Sequence, residues 1–84
     1  MERKLIGHYI VVDPKICHGK PTIRGTRVMV WQVLDLVAKG MDWDEISHHW
    51  PAHIPKEAIA EAVSLANQVF VENAQEYQWE LEPV

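Results

Sequence analysis

His18-Gly19-Lys20-Pro21-Thr22-Ile23-Arg24-Gly25-Thr26-Arg27 is a cationic, glycine-punctuated stretch that runs directly into an apolar segment beginning near Val28. It holds three of the eight basic side chains and two of the four glycines of the chain. Glycine opens backbone angles closed to other residues, and guanidinium forks suit phosphates and carboxylates. A loop of this make presents backbone and charge, and the elements on either side of it define the fold.

Upstream, His8-Tyr9-Ile10-Val11-Val12 is short, β-branched and aromatic and stops at Asp13-Pro14, a turn opener, which predicts a strand. Thr22-Ile23-Arg24 is the other extended candidate ahead of the first helix, so the strand pairs either with it as a small hairpin or with a second copy of the chain. Downstream, Val30, Trp31, Val33, Leu34, Val37 and Ala38 recur at helical spacing over Val28–Lys39, with Asp35 and Lys39 four apart on the outer side. Gly40 closes that helix, and Asp42 caps a short second one running to about His49, where Trp50-Pro51 ends it. Pro55 then opens the longest helix, whose apolar face is Ile59, Ala62, Val63, Ala66, Val69 and Phe70 and which runs to about Glu76, with Glu57, Glu61 and Glu72 on the opposite face.

The expected fold is therefore mainly α: a short N-terminal strand or hairpin followed by a three-helix bundle, a layout that matches the small bundles in which helix-turn-helix modules occur. Residues 1–76 are expected to form one small helical domain, followed by an acidic aromatic tail over 77–84. Trp31, Trp43 and Trp50 are expected in the core or as lids over the junction of the first two helices.

Eighty-four residues support one small core, which makes a homodimer an expected supplement. The 48% hydrophobic and 24% charged composition is that of a chain that folds. Absence of a membrane-length apolar run and of a leader-like N-terminus predicts a cytoplasmic protein with no membrane partner. Cys17 is the single cysteine, so no internal disulfide forms.

The net charge of −4 hides an asymmetry: residues 1–40 carry seven bases against three acids, and residues 41–84 carry Lys56 alone against nine acids. Arg3, Lys4, Lys20, Arg24 and Arg27 are the expected DNA-facing residues. The third helix, opening with Lys56, Glu57 and Glu61, is a poor recognition helix because acids beside phosphates cost affinity.

Enzymatic chemistry finds no foothold. A nucleotide-cradling loop needs Gly-Lys followed by Ser or Thr, whereas Pro21 follows Lys20 and removes a backbone donor. Asp13, Asp35 and Asp42 have structural roles as turn opener, solvent-facing residue and cap, and Cys17 lacks the partners of a nucleophile. Pro51 breaks the helix that would align His49 with His53, so no metal or cofactor is expected.

Gly19 through Arg27, with Asp13-Pro14 before it and Ala38 to Met41, Glu45-Ile46 and Trp50-Pro51 after it, resembles the domain-of-unknown-function family numbered 433 over about residues 8–70. Met29 stands where that family often has proline. The resemblance implies a homeodomain-like or winged helix-turn-helix protein of VapB-like antitoxin kind that neutralises a PIN-like nuclease toxin and represses its own operon by binding operator DNA. The tail lies beyond the resemblance. There Tyr77, Trp79 and Leu81 supply alternating apolar contacts, and Glu76, Glu80 and Glu82 supply charge suited to a basic partner such as a nuclease. A stand-alone DNA-binding regulator and a purely structural interaction module are the alternative readings.

Overall fold

A computed structural model describes residues 4–77 of the chain. Three strands, β1 (Lys4–Ile6), β2 (Ile10–Val12) and β3 (Thr22–Ile23), form one antiparallel sheet in the order β1-β2-β3. Three helices follow: α1 (Val30–Ala38), α2 (Trp43–Ser47) and α3 (Lys56–Glu72). Short 3-10 turns occupy Cys17–Gly19 and Ala74–Tyr77. The expected pairing of the Ile10–Val12 strand with Thr22-Ile23 is present, and β1 adds a third strand that the sequence reading left out.

Register explains how so small a sheet is closed on both faces. Ile10 lies opposite Ile23, and both point at the helices; Val11 lies opposite Thr22, and both are buried on the other face. Thr22 Oγ donates to the Val11 carbonyl, so the hydroxyl buried there has a partner.

The core cluster joins Ile10 and Ile23 of the sheet to Val28, Val33 of α1, Ile46 of α2, Ile54, and Ala58, Ile59 and Ala62 of α3. Small residues at Ala58 and Ala62 let α3 approach closely, and Ile59 between them fills the space. Trp50 packs against this cluster, whereas Trp31 is 56% exposed and Trp43 lies at the surface. The expected enclosure of all three tryptophans is thus corrected for two of them. Seven of the nine residues of α1 are apolar, more than its core-facing side takes in, and Trp31 is left outside.

Local chemistry sets the helix ends. The backbone N–H of Met29 donates to the Gln32 side chain at the start of α1. Gly40, with φ +83°, turns the chain, and the Asp42 carboxylate accepts the Asp44 N–H to begin α2. Ser47 Oγ donates to the Ile54 carbonyl across the loop that contains Pro51, which satisfies two buried polar groups. Asn73 ends α3 by donating from Nδ2 to the Val69 carbonyl. Only the first half of α3 is buried: Ala58, Ile59 and Ala62 are its fully enclosed residues.

One long-range polar contact ties the two ends of the fold. The Glu61 carboxylate, half-buried on α3, accepts the backbone N–H groups of His8 at 2.9 and 3.0 Å and of Tyr9 at 2.8 Å. These are the amides of the β1–β2 turn. A Cβ added to Gly7, whose φ is +71°, would come within 2.6 Å of Glu61 Oε1. Glu61, read from sequence as a solvent-side residue, is therefore the clasp between α3 and the hairpin.

Lys56 at the head of α3 pairs with Asp44 of α2. The hydrogen bond from the Lys56 ammonium, reinforced by its charge, holds the Asp44 carboxyl below its ordinary pKa, and the same hydrogen bond raises that of Lys56. A lowered carboxyl pKa contributes stability above the unfolded-state aspartate range and loses it as pH falls through the lowered value. The raised ammonium pKa contributes below the ordinary lysine value and loses it as pH rises through the raised one.

Two outcomes are expected. Glu61→Ala costs about 2–3 kcal/mol, the worth of hydrogen bonds to a charged acceptor, and lowers the thermal midpoint by roughly 10 °C or more; Gly7→Ala is destabilising in the same calorimetric scan, and a stability unchanged in both would remove the clasp. In a carboxyl-detected NMR titration, Lys56→Met returns the Asp44 midpoint upward to the ordinary aspartate range; an unmoved midpoint would show that the pair is not formed in solution.

Candidate basic interface

The stretch from Cys17 to Arg27 is held from several sides. Cys17, His18 and Gly19 take positive φ of 50°, 58° and 82° in succession. Left-handed backbone at two non-glycine residues carries strain that the surroundings must offset. Three contacts do so: Gly19 N–H to the Ile16 carbonyl, Lys20 N–H to the Cys17 carbonyl, and the Cys17 thiol, 3.5 Å from the Arg27 carbonyl, as a weak donor.

The second half of the loop is a tight hairpin. Ile23 N–H donates to the Val28 carbonyl, Thr26 N–H returns to the Ile23 carbonyl, and Gly25 supplies the positive φ the turn requires. Thr26 Oγ bridges the turn, donating to the Ile23 carbonyl at 2.8 Å and accepting the Val28 N–H at 3.0 Å. Arg24 N–H donates to the Tyr9 carbonyl at 2.7 Å, which docks the turn on the β1–β2 corner.

The backbone is thereby fixed, and the side chains are left outward. Lys20, Arg24 and Arg27 are all exposed, and none makes a side-chain hydrogen bond or ion pair among the described residues. The ion pairs found there are Lys39 with Asp35 and Lys56 with Asp44. Among the described residues, the acids of the rear half therefore form no ion pair with the loop. Arg27 lines a depression of about 430 Å³ with Val11, Asp13, Ile16, Gly25 and Thr26, so it stands on one wall and a carboxylate stands on another.

The sheet register spreads these cations apart. Lys4 pairs with Val12, at the end of β2 toward which Pro21 and Lys20 lead; Arg24 lies at the other end of β3, on the Tyr9 side. Lys20 and Arg24 are four residues apart along an extended strand, about 13 Å. Arg3 lies outside the described residues, as do Trp79, Glu80 and Leu81 of the expected partner-binding tail; Tyr77 closes the final 3-10 turn.

The helices contribute little positive charge. α2 begins with Asp44 and Glu45 in its first turn, and Lys56, the one base of α3, is engaged by Asp44. His48 and His53 rings approach to 5.0 Å and His48 Nδ1 lies 2.9 Å from the Asp44 carbonyl, yet no group of three or more His, Cys, Asp or Glu suited to a metal ion occurs among the described residues. No helix there is long and apolar enough to cross a membrane.

Because His18 is exposed and left-handed, His18→Gly is expected to raise stability by about 0.5–1 kcal/mol in chemical denaturation, relieving strain that a side chain sustains; destabilisation instead would mean that the imidazole holds the loop.

Comparison with known proteins adds one finding to this geometry. No curated protein and no solved structure matches the chain. The model of the family described as protein of unknown function DUF433 matches residues 10–66, about two thirds of the chain, from β2 through the basic loop and α1 and α2 into α3. The match takes in every fully buried apolar residue of the core as well as Lys20, Arg24 and Arg27, and the chain belongs to the DUF433 family.

Proposed function

We propose that this chain is a non-enzymatic, antitoxin-like protein whose basic loop binds DNA and whose C-terminal tail engages a PIN-like nuclease toxin. The observation that carries the DNA half is the outward placement of Lys20, Arg24 and Arg27, none of them ion-paired among the described residues, on a backbone held by Thr26, Tyr9 and the 17–19 turn. Fixed backbone lowers the ordering cost of a phosphate contact, and guanidinium forks supply paired donors.

Phosphate recognition by this loop replaces, in the proposal, the usual reading helix. α1 and α2 are joined by the short connection Lys39–Asp42 in helix-turn-helix manner, but α2 spans Trp43–Ser47 only and opens with acids. Loop and sheet, not the second helix, then face the duplex. A homodimer doubles this surface and matches a palindromic operator.

The toxin half rests on sequence. Residues 77–84 are proposed as an acidic aromatic tail outside the folded domain, with Tyr77, Trp79 and Leu81 as anchors and Glu80 as charge against a basic nuclease cleft. Such a protein would act in the cytoplasm, occluding the toxin and repressing its own operon.

A gel-shift series across salt concentrations tests the loop on DNA from upstream of the gene. Arg24→Ala with Arg27→Ala is expected to weaken binding at least ~10-fold and to reduce the slope of log K against log salt by about 2, with unchanged circular dichroism because both side chains are exposed. An unchanged slope would place the DNA surface elsewhere. Co-purification with the PIN-like protein of the neighbouring reading frame tests the tail: removal of residues 78–84 is expected to abolish capture, and DNA binding without any captured toxin would favour the stand-alone regulator.

A further inference from the structure

An apolar groove of about 510 Å³ opens between β1, α1 and α3, with Ile6, Ile10, Val30, Leu34, Leu65 and Val69 on its walls. Its outer rim consists of side chains that a monomer gains little by presenting. Ile6 of β1 is 40% exposed, and Val69 of α3 is 52% exposed. α3 runs on for ten residues after Ala62, its last fully buried residue, so its second half is a helix ridge beside the groove rather than a cover over it.

β1 is the edge of the sheet, and its outer side pairs with no strand among the described residues. Apolar edges of this kind are a template for another chain.

We infer that this face is a two-fold interface with a second copy of the chain, in which the second half of α3 from each copy lies in the groove of the other. The face is self-complementary because it carries both a concavity and, next to it, the ridge that fits one. Charge favours the same occupant. Beyond Lys56, α3 and the turn after it bear acids alone, Glu57, Glu61, Glu72 and Glu76, and Glu72 and Glu76 follow directly on the exposed ridge. Lys20, exposed and unpaired among the described residues, adjoins Pro21 on the groove wall. Laying one copy's acidic helix end along the other's groove brings Glu72 toward Lys20, and two-fold symmetry repeats the contact. The acidic rear half of each chain thereby meets the basic front half of its partner.

This deepens the pairing included in the proposed function and is separable from it, since the salt-slope test of Arg24 and Arg27 reads DNA binding whatever the oligomeric state. Sedimentation equilibrium of the full chain over a micromolar concentration series is expected to show a dimer. Val69→Glu, and Ala66→Glu as a second site in case one variant folds poorly, are expected to weaken it at least ~10-fold with helical circular dichroism retained. Glu72→Lys weakens the dimer, and adding Lys20→Glu to it restores affinity. A monomer throughout the series, or a dimer indifferent to both Val69→Glu and Ala66→Glu, overturns the inference. So does a monomer that dimerises only when residues 78–84 are removed, because the chain's own tail would then be the occupant.

Discussion

Glu61 is the residue on which the arrangement turns. Its carboxylate takes the two free amides of the β1–β2 corner, His8 and Tyr9, more than fifty positions away in sequence. Strands of two and three residues are marginal alone, and an isolated hairpin of this length would not persist in water. The charged acceptor on a helix already seated in the core by Ile59 and Ala62 supplies what the strands lack. Tyr9 extends the effect: its N–H is held by Glu61, and its carbonyl accepts the Arg24 N–H. A single residue thus links α3 to the basic loop, and the backbone position of Arg24 is tied to a carboxylate on a distant helix.

The loop has the converse character. Its backbone polar groups are well used, while its cationic side chains are left to solvent. Such a division costs strain at Cys17 and His18, whose left-handed angles are not relieved by glycine. A loop whose role was only to connect β2 to α1 would have no need of that strain together with three unpaired cations. Three acids are engaged elsewhere, Asp35 with Lys39, Asp44 with Lys56 and Glu61 with the hairpin, and Asp13 shares a depression with Arg27 without an ion pair.

Much of this was legible in the sequence, and the exceptions share a physical cause. The periodicity of α1 and α3, the Asp42 cap, the Gly40 turn and the pairing of Ile10–Val12 with Thr22-Ile23 all depend on local patterns, which a sequence displays. β1 did not stand out because Lys4-Leu5-Ile6 is too short to alternate; the one cue was Gly7 as a turn residue between Leu5-Ile6 and the expected His8–Val12 strand. Glu61 was hidden because its partners are backbone amides, which every residue has. Its place beside Ala62, at the border of the apolar stripe, was the available hint. Trp31 failed the expectation of burial because α1 carries more apolar residues, seven of nine, than its core-facing side takes in. At the site, composition identified Lys20, Arg24 and Arg27, but their freedom from acidic partners required coordinates.

The extent of the family match sharpens the division between scaffold and surface. Residues 10–66 include every fully buried apolar residue among the described residues, and the strained loop with Lys20, Arg24 and Arg27. β1 and the end of α3 lie outside it, and they are the parts with the most exposed apolar area. Glu61 lies inside the match while the amides it holds, at His8 and Tyr9, lie just before it. The clasp therefore joins β1 to the matched region. Ile6, just before the fastened corner, lines the groove together with Leu65 and Val69 of α3. The same carboxylate that holds the hairpin near Arg24 thus also keeps β1 beside α3, where Ile6 and Val69 lie on one exposed apolar face.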